Sequence, residues 1–148
     1  MILRAYPPKM TAEEVGAFVK RVYPQSAEFK WRAEAVRPGE IDVRMAVGND
    51  DLRPGGTLSG PTMFTLADVA AYLLVLAHVG EVELAVTTSA VIHFLSKPPL
   101  GDLMAKGRLI KLGKRLAVCE IHITSAANHT LVAQATVTYS IPMKSGNS

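Results

Sequence analysis

Residues 60–78 limit this chain more than any other segment, because they form a helical pattern that is apolar on almost every side. Phe64, Leu66, Ala67, Ala70, Ala71, Leu73, Leu74, Leu76 and Ala77 leave no continuous polar face. Such a helix is stable in water only when other elements surround it. Thr57 or Ser59 is placed to cap it. Pro61 falls in the first turn, where its missing amide costs no helical bond, and Gly80 ends the helix. The most apolar part, residues 66–79, carries Asp68 and is shorter than the roughly 20 residues that span a bilayer. We read a core helix, with no membrane contact.

The material to surround it follows in the chain. Thr, Val, Ile and Tyr dominate four strand-like stretches, at about 82–95, 102–111, 115–125 and 131–141. The short breaks between them join antiparallel neighbours. Before the helix, Ile41, Val43, Met45 and Val47 alternate with Asp42, Arg44 and Ala46, which predicts one strand over 33–47, bent near Pro38-Gly39. Residues 48–56 are a loop. Thr11 and Glu14 form a capping box that opens a short amphipathic helix over about 11–23, with Val15, Phe18, Val19 and Val22 on one side and Pro24 closing it. A flat sheet would leave part of the long helix wet, so five strands must curl around it. The expectation is one α+β domain over residues 1–148. The sheet's outer face then needs cover, and Val91, Leu109 and Val118 predict that another copy of the chain supplies it.

Composition removes several function classes. The net charge of +3 is mild and dispersed, which suits anionic small molecules and lacks the dense stripe of a nucleic-acid binder. The single cysteine, Cys119, leaves no internal disulfide and fits a reducing cytoplasm. Residues 1–10 lack the apolar run of a signal peptide. His78, His93, His122 and His129 have no metal-ligand spacing, so no metal is expected, and His93 and His122 read as satisfied structural histidines. No nucleophile elbow surrounds Ser59, Ser89 or Ser96, and Gly55-Gly56 lacks the lysine of a Walker loop. Asp68 stands apart: it is the only charged residue between Arg53 and Glu81. A buried carboxylate costs free energy unless it is paired or used, so Asp68 either caps a neighbouring loop's amides or belongs to a site.

Residues 52–70, with Ser59-Gly60-Pro61 leading into Leu66-Ala67-Asp68-Val69-Ala70, resemble the core motif of the PaaI-type hotdog thioesterases. In that family a loop asparagine leads to His-Gly-Gly and then to a helix bearing Leu-Ala-Asp-x-Ala. The stretch from Thr87 to Pro98 is similar to the family's next strand, and Lys111-Leu112-Gly113-Lys114-Arg115 resembles its basic turn. The similarity runs over residues 33–141. It implies a hotdog fold, five antiparallel strands around one helix, assembled as a homodimer or a tetramer. It also implies hydrolysis of an acyl-CoA thioester in the cytoplasm, with no cofactor beyond the CoA of the substrate. Asp68 would be the nucleophile or general base, and the Gly60 amide the oxyanion donor from the opposite subunit. Thr87 or Thr88 would lie where a hydroxyl assists the water.

Physical chemistry agrees with that pairing. Free amides and the helix dipole at Gly60 favour a developing oxyanion, and one such donor is worth about 3 kcal/mol. Asp68 is eight residues on, roughly 12 Å along the axis, too far to meet the same carbonyl within one chain. A two-fold partner solves the geometry. Two departures stand out: Ser59 replaces the family's histidine, and Arg53 occupies its asparagine position. Ser59 still caps the helix. Arg53 is placed to bind a substrate carboxylate, bind a CoA phosphate, or pair with Asp68 and lower its pKa. Among the basic residues, Lys114 and Arg115 are the choices for the CoA phosphates. Phe64, Tyr72 and Phe94 are expected near the acyl tunnel, whose specificity depends on how two subunits line it. The alternative is a catalytically silent protein of this fold that binds an acyl-CoA or another amphipathic ligand.

Overall fold

The computed structural model describes residues 6–23, 25 and 29–143. Helix α1 (Ala12–Val22) starts as its capping box predicts, with Thr11 Oγ1 accepting from the Glu14 amide at 3.1 Å and Glu14 Oε1 from the Thr11 amide at 2.8 Å. It buries Val15, Phe18 and Val19. Pro24 lies outside the described residues, as do residues 1–5 of the N-terminal ten.

The predicted single strand over 33–47 is a hairpin of two, β1 (Trp31–Arg37) and β2 (Glu40–Met45). Arg37 pairs with Glu40, so Pro38-Gly39 is a two-residue turn, with Gly39 at a φ of 72° that glycine adopts without strain. The alternation of Ile41, Val43 and Met45 is real, but it belongs to β2 alone. After helix α2 (Gly60–Val79) come β3 (Val86–Phe94), β4 (Leu103–Leu112), β5 (Leu116–Ser125) and β6 (Leu131–Ser140). They form one antiparallel sheet of six strands rather than five, in the order β1-β2-β4-β5-β6-β3.

The sheet wraps α2, which touches all six strands. Gly107 permits the closest approach: a Cβ there would stand 2.9 Å from Ile121 Cδ1 and 3.3 Å from Leu74 Cδ2. At 20 residues α2 is long and apolar enough to cross a membrane, contrary to the length argument above. Burial decides the matter instead, since residues 70–78 lie wholly inside the domain. His78 is among them; its Nε2 accepts from the Gly39 amide and its Nδ1 faces the Leu74 carbonyl, both at 2.9 Å, which ties the end of α2 to the β1–β2 turn.

Two burial expectations need correction. The first half of α2 is not enclosed: Pro61, Phe64 and Thr65 are exposed and Asp68 and Val69 half-buried, a single stripe at three- and four-residue spacing. The outer face of the sheet is also less apolar than expected, although Val91 is exposed on it. Leu109 points into the core, and the outer surface carries Arg37–Asp42, Arg44–Asp102 and Arg108–Glu120 ion pairs. His93 and His122 are exposed on their strands, and His122 has a partner in Glu120 at 3.2 Å. Exposed apolar side chains are grouped on the edge strand β3, with Val86, Val91 and Phe94, and occur singly on β4, β5 and β6 at Ile110, Leu116 and Leu131, whereas the opposite edge, β1, is packed by α1.

Candidate active site

Asp68 stands on the uncovered stripe of α2, beside β3. Its Oδ1 accepts hydrogen bonds from Thr87 Oγ1 at 2.6 Å and from the Tyr139 hydroxyl at 2.9 Å. Oδ2 has no partner among the described residues. Thr87 reaches Asp68 because of a β-bulge. Phe94, Ile92 and Ala90 pair with Ala133, Ala135 and Val137 of β6, whose side chains are buried beneath the sheet. Regular alternation would continue that face at Thr88. The register shifts between Thr87 and Ser89, so Thr87 pairs with the buried Tyr139 and turns inward, while Thr88 Oγ1 donates to the Thr138 carbonyl at 3.3 Å. Of the two threonines, only Thr87 joins Asp68.

Tyr139 is buried, and its phenol is pushed well above the ordinary tyrosine range, first by desolvation and further by the nearby Asp68 charge. It therefore remains a neutral donor. The cavity over this cluster is about 360 Å³ and is walled by Tyr23, Phe29, Trp31, Val69 and Tyr72 as well as by Asp68, Thr87 and Tyr139. Phe29 and Trp31 stack with centroids 4.7 Å apart, and Tyr23 and Tyr72 meet edge to face.

A second cavity, of about 390 Å³, opens at the other end of the stripe and is lined by Arg53, Leu58, Gly60, Met63, Phe94 and Lys97 among others. Gly60 is the first residue of α2 and its amide has no acceptor among the described residues. Pro61 follows without an amide, so Gly60 presents the one uncommitted donor at this turn. Glycine lets the ring of Phe94 rest on this turn: a Cβ would lie 3.3 Å from it, and the ring would have to give way by a few tenths of an ångström. Ser59 caps the helix, its Oγ accepting from the Thr62 amide at 3.3 Å. Beneath the cap sits Asp51, which the sequence reading passed over as one acid in a loop. Asp51 Oδ1 accepts from Thr62 Oγ1 at 2.9 Å, Oδ2 from the Gly48 amide and Lys30 Nζ, both at 2.9 Å, and its carbonyl from the Ser59 amide at 2.8 Å. The turn that presents Gly60 is thus held from below.

The expected residues consequently fall in two groups. Asp68 and Thr87 share one cavity; Gly60 and Arg53 share the other, with Ser59 holding their turn. Arg53 makes no ion pair with Asp68. Phe64 is exposed on the stripe and lines neither cavity. Lys114 and Arg115 are exposed at the β4–β5 turn. That turn lies at the Asp68 end of the sheet, because Ala117, Tyr139 and Thr87 occupy one row across β5, β6 and β3. Tyr139 was missed entirely; it is 71 positions from Asp68, and no local pattern announces the contact. Among the described residues no cluster of three or more His, Cys, Asp or Glu is placed to hold a metal.

A model of the thioesterase superfamily matches residues 55–132, just over half the chain, covering both Gly60 and Asp68. The chain belongs to the thioesterase superfamily. A candidate thioesterase from Silicibacter sp. TM1040 is 43% identical, with 97% of this chain and 99% of that one aligned at a TM-score of 0.85. A hypothetical thioesterase from Streptococcus pneumoniae, crystallised with coenzyme A, is 27% identical over 77% of this chain and 87% of its own, with a TM-score of 0.68. The E. coli PaaI protein shares the fold at 20% identity, over 89% of this chain and 94% of its own, with a TM-score of 0.77. No curated protein matches the chain. The expected hotdog architecture, which PaaI shares, and the thioesterase kinship are therefore borne out for this superfamily member, with the strand count raised to six.

Proposed function

We propose that this superfamily member hydrolyses an acyl-CoA thioester at a site completed by a second copy of the chain. The observation that carries the reading is the carboxylate of Asp68, with Oδ1 gripped by Thr87 and Tyr139 and Oδ2 uncommitted beside an uncovered strand edge. Strand β3 runs antiparallel to α2: Gly60 lies under Phe94 at one end, and Asp68 meets Thr87 at the other. Antiparallel pairing of β3 with its copy, about a two-fold axis near Ala90, keeps both helices on one face of a continuous sheet. It also brings Asp68 of one subunit toward Gly60 of the partner subunit. The same operation joins the exposed stripes of both helices and removes the open edge.

In the general-base form of the reaction, Asp68 Oδ2 takes a proton from water and the hydroxide attacks the thioester carbonyl. The Gly60 amide of the partner subunit receives the oxyanion. The tetrahedral adduct then collapses, the C–S bond breaks, and CoA leaves as a thiolate that regains a proton. Thr87 and Tyr139 orient the carboxylate by holding its other oxygen. Lys114 and Arg115, at the Asp68 end of the sheet, meet the CoA phosphates. The S. pneumoniae relative held with coenzyme A supports this choice of thiol.

The test is release of free CoA by wild type and by Asp68→Ala, alongside molar mass in solution. Wild type is expected to turn over at about twice the 15.9 kDa chain mass or a multiple of it, and Asp68→Ala to be inert at the same mass. Subunit mixing tests the shared site: Asp68→Ala combined with Gly60→Pro, each inactive alone, regains about one quarter of wild-type activity if the two groups act across the axis. An active Asp68→Ala protein, or a wild type that binds CoA thioesters without ever releasing CoA, sinks the mechanism.

A further inference from the structure

The assignments above employ one end of the site fully and leave two cations at the other end unused. Arg53 and Lys97 line the Gly60 cavity, no carboxylate lines it with them, and neither makes an ion pair among the described residues. Among the described arginines only Arg53 and Arg115 lack a carboxylate partner. Arg21, Arg32, Arg37, Arg44 and Arg108 are all held by Asp or Glu, and Arg115 lies at the far turn.

Arg53 is fixed in place by its backbone. Its amide donates to the Thr57 carbonyl at 2.8 Å, and its own carbonyl accepts from the Gly56 amide at 3.0 Å. Leu52 bridges Leu58, which closes a tight hairpin whose Gly55 and Gly56 take φ values of 99° and 81°. That hairpin is clamped to the segment after β3: the Leu58 amide donates to the Pro98 carbonyl at 3.0 Å, and Thr57 bridges Pro99. The clamp puts Lys97 on the same rim as Arg53. Between them the walls are mostly apolar, with Leu58, Met63 and the ring of Phe94, which rests on Gly60, and Ser96 as the neutral polar side chain. One uncommitted amide and two cations without a carboxylate partner thus face a cavity of mostly apolar walls.

A second copy seated on β3 would take water from this rim, and a guanidinium in an apolar enclosure is costly unless the ligand brings an anion. CoA carries phosphates, but the whole pantetheine arm separates them from its sulfur. If the Gly60 amide holds the thioester carbonyl, a cation in the same cavity is beside the acyl group and far from those phosphates. We infer that the site, on the thioesterase reading above, selects CoA thioesters whose acyl chain itself ends in a carboxylate. Arg53 binds that carboxylate through paired N–H donors, and Lys97 adds a second charge.

Matched six-carbon substrates test this: hexanoyl-CoA against adipoyl-CoA, with the corresponding N-acetylcysteamine thioesters as phosphate-free forms. The quantity read is the ratio of kcat/KM for the acidic and neutral acyl groups. Wild type is expected to favour adipoyl by at least about tenfold in both series. Arg53→Gln is expected to lower the ratio about 10- to 100-fold, and Lys97→Gln to lower it less. A wild type indifferent to the carboxylate overturns the inference. So does an Arg53→Gln protein that loses both acyl groups equally, or one whose defect disappears with the phosphate-free thioesters, since that would make Arg53 a phosphate contact. Calorimetry on Asp68→Asn with the two CoA thioesters separates this inference from the hydrolysis reading. Tighter binding of adipoyl-CoA with no turnover by wild type would sink hydrolysis and keep the selectivity; turnover with equal binding would do the opposite.

Discussion

Replacing Tyr139 by phenylalanine removes one hydroxyl and leaves the ring packed against Tyr72, with centroids 5.9 Å apart. The hydroxyl is one of two donors on Asp68 Oδ1, at 2.9 Å, the other being Thr87 at 2.6 Å. A hydrogen bond to a charged acceptor nets about 1.5–3 kcal/mol. Asp68 is only half-buried and Thr87 remains, so the expected loss is near the lower end, about 2 kcal/mol or roughly thirty-fold in kcat/KM. It should fall mainly on kcat, because the carboxylate acts in the chemical step. Stability should change by no more than about 1 kcal/mol, since water replaces the lost donor. Thr87→Val is expected to act similarly, and the double variant to lose more than the sum, because Oδ1 then has no donor and the carboxylate can rotate. Burial holds the Tyr139 phenol above the ordinary tyrosine value, so ionisation of this group should not cut wild-type turnover below about pH 10. The readouts are thiol release and a thermal melt. Both single variants turning over at the wild-type rate would show that Asp68 does not depend on a fixed Oδ1, and the account of the site would fail.

Three further outcomes concern the scaffold. Asp51 is pushed up by partial burial, but the Gly48 amide, Lys30 and Thr62 outweigh that and hold it below the usual carboxylate value of 3.8. A carboxyl depressed in the folded state stabilises at pH above its unfolded pKa and loses that contribution as pH falls through its folded pKa. Urea titrations should therefore show wild type losing stability below about pH 5 more steeply than Asp51→Asn, which is the weaker protein at neutral pH; parallel curves would deny Asp51 its part under the Gly60 turn. Gly107→Ala places a methyl 2.9 Å from Ile121 Cδ1 in a closed core and should cost about 1–3 kcal/mol by denaturant melt, whereas an unchanged midpoint would mean that α2 is free to shift. Desolvation raises the fully buried Cys119 thiol to about 12, so native protein should stay unmodified by a disulfide reagent at pH 8 and react once unfolded.

Much of this molecule is legible in order along the chain. Ser59, Pro61 and Gly80 punctuate α2, the capping box opens α1, and the β-rich runs after residue 81 match β3 to β6 within a few residues. These signals are local, since caps, turns and periodicity act over three or four residues. Asp68 is legible for a related reason: a lone charge in an oily helix conflicts with its surroundings, and such conflicts mark sites. Folding supplied what depends on distant or small displacements. A two-residue turn at Pro38-Gly39 made two strands from one apparent run, and one extra residue at Thr88 turned Thr87 rather than its neighbour toward the carboxylate. Tyr139 meets Asp68 only because β6 lies between β5 and β3. The same packing put Arg53 with Gly60 and away from Asp68, a choice the residues alone left open. Side-chain identity and short-range pattern thus determined which elements form and which acid is unusual. The sheet order and a single register shift, which no short window of sequence encodes, decided which groups that acid touches.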